Sequence, residues 1–155
     1  MSDTSISFEE NGVYILLTDV GEPIQFHWGL YLALSEEHGR VFHFVNNINT
    51  NHEWKFDSHL TTGIPNLKFL LVALKIAVMD RDLHEPLLTR LEAVSATPPI
   101  SCRIWLMRSL EGLDNEGYIK LSATSKDVVG EGEMFAIENK LSKNQTTKQS
   151  SLSSA

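Results

Sequence analysis

The chain holds one cysteine, Cys102, in "SCRIWLMRSLEGL" (101–113), and two histidines set inside apolar stretches. His27 lies in "QFHWGLYLAL" (25–34) and His43 in "VFHFV" (41–45). A thiol one residue past a serine that can cap a helix meets unpaired N–H groups and the positive end of the helix dipole. Both stabilise a thiolate and lower its pKa below the free value of about 8.5. A thiolate at a helix start, a histidine on a facing strand and a polar group that orients the ring are the parts of a cysteine nucleophile site. The stiff approach "PPIS" (98–101) would hold the Cys102 N–H where an oxyanion forms.

These residues need elements to carry them. Side chains two apart on a strand share a face, so Gln25, His27, Gly29 and Tyr31 point one way and Phe26, Trp28, Leu30 and Leu32 the other. His43 shares its face with Val41 and Val45. A hairpin through the polar turn 35–40 brings His27 and His43 onto one face of a sheet, with the register open to either setting. Further strands are expected at 13–20 and 52–57, and over part of 67–79, whose continuous apolar run carries no period. Helices are expected from Pro86 to Val94, over 101–113 and over 133–141. Strands first and helices after indicate an α+β fold, an antiparallel β-sheet packed by helices. One domain over 11–141 is expected, with residues 1–10 and 142–155 as flexible tails, since the latter hold a single large apolar residue, Leu152. Segments 46–66 and 120–132 are expected as loops able to cover a cleft.

Charge and composition narrow the function. The net charge is −7 and no basic run tracks a phosphate backbone, which disfavours nucleic acid. The longest apolar run, 69–79, is too short to span a bilayer and holds Lys75, so no stable membrane anchor is expected. No basic-then-apolar leader opens the chain, and a cytoplasmic, reducing setting is expected. A single cysteine excludes an internal disulfide and a multi-cysteine zinc site. No ligand-like local spacing surrounds His27 and His43, so no metal is expected, and no glycine-rich phosphate loop suggests a cofactor. His38, His52, His59 and His84 read as solvent-facing, Asp19 and Asp57 as strand-end turn residues, and Trp105, Met107 and Leu110 as core. The plainer alternatives are a small buried cysteine and hydrogen-bonded histidines in a non-catalytic binding module. A further alternative is a histidine acid/base enzyme acting on a small metabolite.

The constellation resembles the circularly permuted papain-like proteins, the superfamily of lecithin–retinol acyltransferase and the H-rev-type phospholipase/acyltransferases. The matching pieces are "HWGLYL" from His27, "VFHF" with His43 and, after a long gap, "SCRIWL" with Cys102. The layout looks closest to a group of small fungal proteins with the same "HW" strand and a "CxxW" helix start. The resemblance covers most of residues 12 to 120. It implies Cys102 as nucleophile, His27 as general base, His43 as its orienting group and Gln25 near the oxyanion. It also implies a thiol-dependent hydrolase or acyltransferase acting on an amide, ester or thioester of a small-molecule, acyl or peptidyl substrate. Two departures stand out: Ser101 replaces the usual asparagine before the cysteine, and nothing matches the family's C-terminal membrane helix.

Overall fold

The computed structural model describes residues 6–23, 25–46 and 53–153. Its six strands are β1 (Gly12–Asp19), β2 (Phe26–Ala33), β3 (Gly39–Val45), β4 (Lys55–Thr61), β5 (Leu70–Val78) and β6 (Thr146–Gln149). Its three α-helices are α1 (His84–Glu92), α2 (Cys102–Asn115) and α3 (Ser125–Ser142). The strands form one sheet in the order β4-β3-β2-β1-β5-β6, antiparallel throughout except for the parallel β5–β6 pair. The class is therefore mixed α+β. A parallel neighbour needs a crossover, and the three helices supply it between β5 and β6.

Each strand of the first hairpins alternates as a sheet with two unlike faces requires. On one face Ile15, Leu17, Phe26, Trp28, Leu30, Phe42 and Leu74 meet the helical side chains Leu87, Trp105, Leu106, Leu110, Val128 and Ala136 in the main core. On the other, Tyr14, Leu16, Tyr31, Val41 and Ala73 form a smaller cluster with Phe8 and Ile64. β1 runs down the middle of the sheet, which explains why its six residues from Gly12 to Leu17 are all buried.

Three expectations change. Residues 120–132 are not a loop: α3 begins at Ser125, its Thr124 cap and Asp127 forming a reciprocal capping box. Gly132 lets this helix press close, since a methyl group there would stand 3.2 Å from Leu17 Cδ1. Second, the segment after Ser142 is not a free tail. Thr146–Gln149 adds to the sheet beside β5, Asn139 Nδ2 ties Leu71 O to Thr146 Oγ1 at 2.8 Å each, and Glu131 holds the backbone N–H of Ser151 at 2.9 Å. Third, within residues 1–10, Phe8 is buried in the smaller cluster and Lys75 pairs with Glu9 at 2.8 Å. Among the described residues no helix is long and apolar enough to cross a membrane.

Candidate functional site

Hairpin register decides which polar side chains meet. The β2–β3 ladder sets Gly29 opposite His43, so His27 sits one diagonal step away, and the β3–β4 ladder sets His43 directly opposite Asp57. The outcome is a row of hydrogen bonds across three strands, on the face away from the helices. His27 Nε2 lies 3.0 Å from His43 Nδ1, His43 Nε2 lies 2.7 Å from Asp57 Oδ2, and His59 Nδ1 lies 3.0 Å from the same oxygen. Exposure rises along the row: the side chains are 18% exposed at His43, 45% at Asp57 and 52% at His59.

The acceptor at the end of the row fixes the direction of the bonds it receives and, for an uncharged His43 ring, of the bond behind them. Burial pushes the Asp57 carboxyl up, but hydrogen bonds from His43 and His59 outweigh it and leave the group below its usual range, hence ionised at neutral pH. A carboxylate only accepts, so His43 Nε2–H donates to it. With His43 neutral, Nδ1 then carries a lone pair and accepts from His27 Nε2–H. In the run His27–His43–Asp57 the ring nitrogen left over is His27 Nδ1, which has no hydrogen-bond partner among the described residues. Burial, and secondarily the neighbouring His43, lower the His27 pKa from 6.5 to about 4. At neutral pH the ring is uncharged, and its surroundings resist protonation until about pH 4.

Cys102 arrives from the helical side. Ser101 caps α2, its hydroxyl accepting from Ile104 N–H at 3.1 Å. Arg108 clamps the approach, donating to Ser95 O at 3.0 Å and Pro99 O at 3.2 Å. The thiol lies 4.0 Å from the carbonyl oxygen of Phe26, the residue before His27. Why that carbonyl has no ladder partner among the described residues follows from the strand pairing. β2 stays paired to β1 as far as Phe26 and β3 to β4 as far as Val45, yet the β2–β3 rungs stop at Gly29↔His43. Leu34 N–H bonds His38 O across the hairpin, so the even-numbered residues of β2 aim their backbone groups at β3. Phe26 therefore aims its carbonyl into the gap where β2 and β3 part, and the thiol abuts it there. Trp105 of the same helix packs beneath β3 and β4, its ring 6.2 Å from that of Phe44 and 5.9 Å from that of Phe56.

The expected residues thus fall into two groups. His27 and His43 come together directly. Cys102 reaches the backbone beside His27 while packing against the main core, whereas the His27 ring leaves β2 towards the other face, and no hydrogen bond joins the two. Gln25 is exposed just ahead of β2. Asp57 departs from the sequence reading, since it lies within β4 and not at a strand end; His59 faces solvent as read, yet it too lies within β4, and both belong to the row. Their period-2 spacing in "KFDSHLT" was the available signal. His38 bonds Ser35 in the hairpin turn, His84 opens α1, and His52 lies outside the described residues. One oxygen of Asp57 and one nitrogen each of His43 and His59 lie within 4.8 Å of one another, a possible cation-binding set. No protein-family model, curated protein or solved structure matches the chain.

Proposed function

We propose that the protein is a thiol-dependent hydrolase or acyltransferase of permuted papain-like architecture. It would act on an amide, ester or thioester through an acyl-Cys102 intermediate. The observation that carries this reading is the directed row Asp57–His43–His27, which leaves one lone pair, on His27 Nδ1, one peptide unit from the residue whose carbonyl the thiol touches. His27 accepts the thiol proton as the sulfur attacks the substrate carbonyl, then returns a proton to the leaving group. His43 fixes the tautomer, and Asp57 anchors His43. Helix geometry leaves the N–H groups of Cys102 and Arg103 without intrahelical acceptors, so they can donate to the developing oxyanion. The substrate carbonyl would lie where the β2–β3 ladder ends, beside the Cys102 thiol.

Incubation with p-nitrophenyl acetate tests this by intact mass. An acetyl adduct is expected on the wild-type chain, none on Cys102→Ala, and acylation slowed by roughly 100-fold or more in His27→Ala. A second reading follows from the thiol's contact with Phe26 O instead of the imidazole: the histidine row alone performs acid/base chemistry on a small metabolite. Nitrophenol release that survives in Cys102→Ala and disappears in His27→Ala would favour that reading. Equal release from all three chains would mean the centre is not catalytic.

A further inference from the structure

His59 plays no part in activating Cys102, yet it completes a second arrangement. We propose that His43 Nε2, Asp57 Oδ2 and His59 Nδ1 form a site for a zinc-class divalent cation, and that filling it reverses the hydrogen-bond row that serves His27. Two imidazoles, which are borderline ligands, and one carboxylate oxygen make a set that Zn²⁺ accepts, and three protein ligands with an open fourth position match the sites that keep a water. The carboxylate oxygen already stands 2.7 Å from one nitrogen and 3.0 Å from the other, and all three donors fall within 4.8 Å. Tetrahedral zinc with bonds near 2.0–2.1 Å needs edges of about 3.3 Å, so a small spreading of these side chains admits the ion. Asp57 and His59 are about half exposed, which leaves the fourth position to solvent. His27 on His43 Nδ1 supplies the outer partner that metal-bound histidines need.

The reversal follows from proton positions. A bound cation takes the lone pair of His43 Nε2, so the single proton of that ring must sit on Nδ1. Nδ1–H then donates to His27 Nε2, and the His27 proton moves to Nδ1. Each ring keeps one proton and none is released. His59 likewise carries its proton on Nε2. His27 Nδ1 loses its free lone pair, and Cys102 loses its base; this second half rests on the reading in which His27 serves the thiol.

Titration calorimetry with Zn²⁺ alone on the Cys102→Ser chain, which removes the thiol as a rival ligand, reads the site directly. One cation per chain is expected, with affinity lowered roughly tenfold or more when His59→Gln is added. Equal affinity in both chains overturns the site. In the chain that retains Cys102, Zn²⁺ should slow iodoacetamide alkylation several-fold, and His59→Gln should abolish that slowing. Slowing that persists in His59→Gln places the ion on the sulfur and overturns the reversal. Binding through His59 with an unchanged alkylation rate overturns the His27–Cys102 pairing while the cation site stands.

Discussion

At the residue scale, the His27 ring is the group whose surroundings most alter its chemistry. Its pKa falls from 6.5 to about 4, mainly through burial. The unfolded chain binds a proton at this ring below pH 6.5, while the folded chain resists until about pH 4. Stability from this ring is therefore fully present above pH 6.5 and drains away as pH falls towards 4, by at most about 3 kcal/mol. Asp57, held below its usual range, adds a loss of the same sign at still lower pH. Urea midpoints measured from pH 7.5 to 4.5 should fall for the wild type and flatten for His27→Gln. Parallel curves would show that the ring is not buried as described. His43→Ala should cost less activity than His27→Ala, because it loosens the base without removing it. Asp57→Asn belongs with His43→Ala, since an amide can satisfy His43 in either direction and no longer dictates which nitrogen of His27 stays free.

At the element scale, two features do the positioning: the parting of β2 from β3 and the start of α2. Ser101→Ala removes the hydroxyl that satisfies Ile104 N–H and should lower stability by about 1 kcal/mol by thermal melt. Ser101→Asn keeps the cap and should leave the melt unchanged; an equal loss in both would place the serine's role elsewhere. Gly39→Ala should cost about 1–3 kcal/mol, since a methyl group there would sit 2.6 Å from Tyr31 Cζ, inside the hairpin that sets the His27–His43 register. An unchanged melt would mean that the hairpin yields without cost. That register was legible in part. Period-2 alternation placed His27 and His43 on one face, and a short polar turn made them neighbours. Asp57 escaped because residues 46–54 hide how β4 slides along β3, and sequence spacing is silent about cross-strand distance. The second half of α3 matches the helix expected over 133–141, but its first half escaped because "KDVVGEG" (126–132) carries two glycines and reads as a loop until the close packing of Gly132 on Leu17 explains one of them. β6 escaped for the opposite reason. "TTKQ" offers no apolar side chain, and backbone pairing with β5, not burial, defines it.

For the whole molecule, a six-stranded sheet with helices on one face leaves the His27–His43–Asp57–His59 row on the other, while Cys102 packs on the helical side against Phe26 O. The C-terminal segment belongs to this frame through β6 and the Glu131 contacts with Ser150 and Ser151. Truncation after Ser142 should lower the melting temperature, measured by circular dichroism, and an unchanged melt would return that segment to a dispensable tail. The central claim is that an imidazole on one face of the sheet governs a thiol approaching from the other. The rate of Cys102 alkylation by iodoacetamide at pH 7, compared between the wild-type chain and His27→Ala, reads this dependence. Alkylation should slow several-fold in His27→Ala, because the thiol loses its base. Equal rates in the two chains would mean that the His27 ring does not act on Cys102.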